Sequence, residues 1–74
     1  MSLEIEIFGG LVPKPQRQQA LEIEGPMLIR DVMNKLEIKE VEVGLITVDG
    51  VQSELDEFVR PGSRLCFFPY MSGG

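Results

Sequence analysis

The 74-residue sequence contains no histidine, no tryptophan and a single cysteine, Cys66. Without histidine the chain cannot assemble a Ser-His-Asp triad or a Cys-His pair. With one cysteine it can build neither the usual Cys/His zinc site nor an internal disulfide. The commonest forms of self-contained catalysis are therefore excluded, and a lone thiol fits a reducing compartment. No run approaches the roughly 20 apolar residues of a membrane span, and the opening "MSLEIEIF" places acids where a secretory leader needs a basic flank and an apolar run. A cytoplasmic protein is expected. Cations are scarce as well: 7 Lys+Arg stand against 12 Asp+Glu, for a formal charge of −5. That field repels nucleic-acid phosphates and anionic lipid, so neither nucleic acid nor membrane is an expected partner.

What is present has the balance of an ordinary globule, 43% hydrophobic and 26% charged, which argues for a folded chain over a disordered one. The length leaves room for one domain. At this size apolar burial of roughly 25 cal/mol per Å² only narrowly exceeds an ordering cost of about 1.5 kcal/mol per residue. Nearly every apolar position must then be used, and little material remains for a deep catalytic cleft.

The stretch "SLEIEIF" alternates, with Leu3, Ile5 and Ile7 on one face and Glu4 and Glu6 on the other, and reads as a half-buried strand. "GGLVPKPQRQ" stops regular structure with two glycines and two prolines, and "ALEIE" resumes the alternation as the second arm of a wide hairpin. After a turn at Gly25-Pro26, Ile29, Val32, Met33 and Leu36 fall at i, i+3, i+4 and i+7, predicting an amphipathic helix of about three turns. "KEVEVGLITV" leads into a third strand ending at Val48, and Asp49-Gly50 sends a short strand back. "LDEF" is expected to form a single helical turn, "RPGSR" another turn, and "RLCFF" the last strand. In that strand Leu65 and Phe67 share one face and Arg64, Cys66 and Phe68 the other.

With this element order ending in "GSRLCFFPYMSGG", the sequence resembles the MoaD/ThiS family of ubiquitin-like sulfur carriers. The matching pieces are "LEIEIFG", the helix, "VDG" before the short strand, "RPGSRLCFFP" and the final "SGG", so the resemblance spans essentially the whole chain. The tail is more similar to those of the small subunits of molybdopterin synthase, which read like Pro-Pro-Val-Ser-Gly-Gly, although Tyr70 and Met71 depart from that pattern. The resemblance implies an α+β, β-grasp fold in which one helix covers a mixed sheet of four to five strands. It also implies a domain over residues 1–69 and a flexible tail over residues 70–74. In such a carrier the Gly74 carboxylate is adenylated by an ATP-using, ubiquitin-activating-type adenylyltransferase and converted to a thiocarboxylate. A sulfur-acceptor enzyme, such as the large subunit of molybdopterin synthase, then takes the sulfur. The chain would be a co-substrate rather than an enzyme, at most the small non-catalytic subunit of a synthase, with no cofactor or metal of its own.

The residues make physical sense of that role. Gly73 and Gly74 lack a Cβ, so the backbone can thread a narrow channel and approach a nucleotide closely. Pro69 fixes one φ and removes one donor, which ends strand pairing and lets Tyr70, Met71 and Ser72 project. The bland alternative for the two glycines is a frayed end without a role.

Ile46 and Val48 are expected in the core, which puts Leu45, Thr47, Cys66 and Phe68 on the opposite sheet face. Together with Pro69, Tyr70, Met71 and Ser72 they are the candidate partner-binding surface, with Phe68, Tyr70 and Met71 as anchors. A few exposed apolar residues are also normal on any monomer. Cys66 has no histidine to activate it and reads as a packing residue rather than a nucleophile. Glu4, Glu6, Glu22 and Glu24 read as a solvated face, and Gly9-Gly10 as a turn, since no GK[ST] follows. Open alternatives are a carrier for thiamine thiazole, tRNA thiolation or cysteine synthesis, a protein modifier, and a β-grasp binding module whose glycines are incidental.

Overall fold

The computed structural model describes residues 1–70; Met71, Ser72, Gly73 and Gly74 lie outside the described residues. The first strand, β1 (Ser2–Ile7), forms where the alternation places it, with Leu3, Ile5 and Ile7 buried. β2 (Gln18–Glu22) pairs antiparallel with it, from Ser2 opposite Glu22 to Glu6 opposite Gln18. The strand expected at "ALEIE" thus starts two residues earlier and stops at Glu22. Gln18 and Gln19 carry no apolar alternation, and only the partner strand recruits them. Ile23 is still buried, its N–H donating to the Met1 carbonyl at 3.1 Å.

Two elements follow that local pattern could not announce. β3 (Met27–Leu28) pairs antiparallel with β6 (Phe58–Val59), and two residues on each side are too few to show a period. The helix α1 (Ile29–Leu36) then begins without any side-chain cap. Its first donors are satisfied from a distance: the Ile29 N–H bonds the Glu57 carbonyl at 3.0 Å and the Arg30 N–H bonds that of Leu55 at 3.2 Å. This corrects the reading of "LDEF", which is no helical turn. The segment is a tight loop, closed by the Glu57 N–H to Glu54 carbonyl bond, and it feeds β6 and supplies the cap of α1.

The helix is eight residues long, a little over two turns rather than about three. It stops because Glu37 adopts the left-handed conformation (φ 58°, ψ 38°), letting the Ile38 N–H reach back to the Met33 carbonyl at 3.0 Å and Ile38 bury itself. Ile29, Val32 and Met33 of the predicted stripe are fully buried, and Leu36 packs at their margin.

β4 (Val43–Val48) returns through Asp49-Gly50 to β5 (Val51–Gln52). Both turn residues have positive φ, 51° and 83°, as a two-residue hairpin of the I′ type requires. Pro61 and Gly62 (φ 91°) make the last turn, and β7 (Arg64–Pro69) is the last strand, followed by Tyr70. Among the described residues the main sheet has five strands in the order β2-β1-β7-β4-β5. The β1–β7 pair is parallel and the rest antiparallel. α1 covers one face, where Leu65 and Phe67 of β7 join the buried residues of β1, Val43 and Ile46 in one cluster. This is the α+β fold expected. No helix among the described residues is long and apolar enough to cross a membrane.

Glutamate tolerates the left-handed conformation poorly, whereas glycine adopts it freely. Glu37→Gly is expected to stabilise the protein by up to about 1 kcal/mol, reduced somewhat by the looser unfolded chain. A urea titration checks this, and a lowered midpoint would contradict the capping geometry.

Candidate functional site

The site is built around the last two residues of β7 and the one after them. Phe67 points into the core and is fully buried, so Phe68 emerges on the face that α1 leaves open. Pro69 lies opposite Val43, and there β4 carries a bulge: Val43 pairs with Pro69 and Leu45 with Phe68, leaving Gly44 as the extra residue. The exit of the chain is then hemmed in by backbone. A Cβ placed on Gly44 would sit 2.9 Å from the Tyr70 Cα and 3.1 Å from the Pro69 carbonyl oxygen. On the other side Gly9 has φ +69°, and a Cβ there would come within 2.6 Å of the Pro69 Cγ. Two positions without side chains, one just after β1 and one in β4, let Pro69 and Tyr70 lie this close.

Around this exit the open sheet face is apolar. The Phe8 and Phe68 rings stack with centroids 4.5 Å apart and planes 5° from parallel, and Leu45 lies opposite Phe68. With Gly9, Gly44, Pro69 and Tyr70 they line a groove of about 600 Å³. Leu45 is 37% exposed and Tyr70 64%. Farther from the exit the same face turns polar. Thr47 and Cys66 form the next rung, Glu6 flanks Cys66 from β1, and Arg64 pairs with the Glu6 carboxylate.

The structure therefore brings Leu45, Thr47, Cys66 and Phe68 onto one face, with Pro69 and Tyr70 at its end. Cys66 is 8% exposed and outside the core cluster, so it packs within the sheet face and offers almost no surface. Glu6 departs from the solvated-face reading, being ion-paired and partly covered, whereas Glu4, Glu22 and Glu24 are exposed. Met71, Ser72, Gly73 and Gly74 fall outside the described residues. Sequence reasoning missed Phe8, although the signal was present: Phe8 continues the Glu4–Glu6 side of the alternation, and its N–H extends the parallel ladder to the Phe67 carbonyl at 2.9 Å. The roles of Gly9 and Gly44 depend on chain crossings that the sequence does not display.

Solved structures share this fold, three of them as follows. SAMP1 from Haloferax volcanii superposes with a TM-score of 0.76 at 21% identity, covering 100% of both chains. A second Haloferax volcanii protein superposes with a TM-score of 0.73 at 20% identity, over 100% of this chain and 87% of its own. Urm1 from Trypanosoma brucei superposes with a TM-score of 0.71 at 18% identity, over 99% of this chain and 95% of its own. At such identities the likeness is one of fold. No curated protein sequence matches the chain. The model of the family described as Mut7-C ubiquitin matches residues 5–73, nearly the whole chain. The ubiquitin-like resemblance is thus borne out, and the chain belongs to the Mut7-C ubiquitin family.

Proposed function

We propose that the chain is a ubiquitin-like sulfur carrier in molybdopterin or tungstopterin assembly, with residues 1–69 as the folded body and residues 70–74 as the reactive tail. A partner adenylyltransferase joins the Gly74 carboxylate to the α-phosphate of ATP with loss of pyrophosphate. Sulfur at the sulfide level then displaces AMP and leaves a thiocarboxylate. In an acceptor enzyme the sulfur passes to the substrate and water restores the carboxylate. The chain supplies no acid, base or metal to these steps. It supplies a reactive end and a surface by which two enzymes can hold it, and a cytoplasmic setting agrees with its single free thiol.

The observation that carries this reading is the exit of β7. Pro69 and Tyr70 are seated between two side-chain-free positions beside an apolar groove, immediately upstream of Met71, Ser72, Gly73 and Gly74. Such a seat fixes where the reactive end begins, and the groove gives a partner something to grip beside it. The match of the ubiquitin-like family through residue 73 supports the same reading. Thiazole formation, tRNA thiolation and cysteine synthesis would use the same chemistry with another acceptor.

Pyrophosphate exchange into ATP, catalysed by an adenylyltransferase from the same genome, tests the first step. The intact chain is expected to stimulate exchange and a chain lacking Gly73 and Gly74 to give none. Equal exchange from both would show that Gly73 and Gly74 are not the adenylated end, and no exchange above the enzyme's own from either would place the chain among binding modules. In the same assay Leu45→Asp, at a partly exposed position, is expected to raise KM about tenfold or more with little change in the melting midpoint. An unchanged KM would remove the groove from the partner interface. Gly44→Val is expected to lower both stability and exchange, because its side chain must displace the Tyr70 backbone. Wild-type behaviour would show that the close seat is dispensable.

A further inference from the structure

A cationic concavity adjoins the exit on the side of Gly9. Between β1 and β2 the chain makes one 3₁₀ turn (Lys14–Gln16), which the Arg17 N–H closes on the Lys14 carbonyl at 3.1 Å. The Arg17 carbonyl is in turn pinned to β1 by the Ile7 N–H at 2.7 Å. Residues three apart in such a turn eclipse one another, so Lys14 and Arg17 stand on the same side of it. Pro13 and Pro15 fix φ on either side of Lys14, and the pair is held ready without further ordering. Both cations line a concavity of about 510 Å³, together with Phe8, Gly9 and Gln18.

Neither cation is neutralised from within: among the described residues Lys14 and Arg17 have no ion pair. The acid in the lining, Glu6, is already engaged by Arg64. The Arg17 Nε is moreover shut off from water with no acceptor, whereas its Nη groups are not shut off with it. That guanidinium has surrendered hydration along one edge and gained no partner in exchange, a cost that an anion on its open Nη groups offsets. In a chain of net charge −5 the two form a local reversal of the field. A carboxylate matches them, since its two oxygens can accept from a guanidinium and an ammonium at once. We propose that this concavity receives an Asp or Glu side chain of the enzyme that grips the tail, the identity of that partner resting on the carrier reading. Phe8 and Gly9 line both this concavity and the apolar groove, so one bound partner would fill the two together.

The site is testable without the enzyme. In an amide-resolved NMR titration, acetyl-Leu-Glu-amide is expected to shift Phe8, Gly9, Arg17 and Gln18 saturably. Acetyl-Leu-Gln-amide, the same shape without the charge, should bind about fivefold more weakly or worse, as loss of a charge contact implies. Equal binding of the two, or shifts centred on Lys39 and Arg60, would overturn the proposal. Tighter saturation of the same amides by inorganic phosphate at matched ionic strength would overturn it too, in favour of a phosphate site. Lys14→Glu, at an exposed position, should abolish the glutamate shifts while leaving the remaining spectrum folded, and Arg17→Gln, which keeps much of the stem, should weaken them. In the exchange assay Lys14→Glu should raise the KM for the chain about tenfold with kcat and the melting midpoint little changed. Lys39→Glu, the same charge change between α1 and β4, should stay within about twofold. Equal effects of the two variants would reduce the site to bulk charge and overturn it. A wild-type chain that supports no exchange would sink the carrier reading and leave the dipeptide result to judge the site.

Discussion

The last strand of the described chain lies in the middle of the sheet, and the rest of the structure depends on that placement. β7 is hydrogen-bonded to β1 on one edge and β4 on the other, and it carries Phe67, the largest of the fully buried side chains, into the core. Chain ends commonly fray because few contacts hold them. Here the last described strand is held on both of its edges. Peeling β7 away from its end would cost its ladders to β1 and β4 and the packing of Phe67, so the position of Pro69 is fixed by the global fold rather than by local preference.

Several local features follow from that crowding. Two strands and a turn converge on Pro69 and Tyr70, and only positions without a Cβ leave room, at Gly9 and at the Gly44 bulge. Because β7 alternates, burying Phe67 forces Phe68 out beside Phe8 and Leu45. The apolar surface thus forms where the chain departs, while Arg64 and Glu6 neutralise each other at the polar end of the same face. The proposed partner contact rests on this apolar surface beside Pro69 and Tyr70, while the single thiol is held within the sheet.

Much of this was legible in the sequence wherever one residue's neighbours along the chain decide its place. The Leu3–Ile5–Ile7 alternation, the Ile29–Val32–Met33–Leu36 stripe, Asp49-Gly50 and Pro61-Gly62 each carry a local physical signature, and each formed as expected. The shared face of Leu45 and Phe68 followed from alternation in two strands. What escaped was decided by distant partners. The cap of α1 comes from Leu55 and Glu57, residues the sequence offers as a helical turn, and β3 and β6 exist only as each other's partners. Glu37 ends the helix in a conformation usually reserved for glycine, so no stop signal was visible. The bulge at Gly44 has meaning only once Tyr70 crosses it.

The account joins a rigid exit to a chemically loadable end. Intact-mass measurement of the purified chain after incubation with ATP, its adenylyltransferase and sulfide addresses that claim most directly. The account predicts a species heavier by the exchange of one oxygen for one sulfur, located by fragmentation at Gly74. An unchanged mass while the same enzyme turns over ATP on the chain, or sulfur found on Cys66, would contradict it.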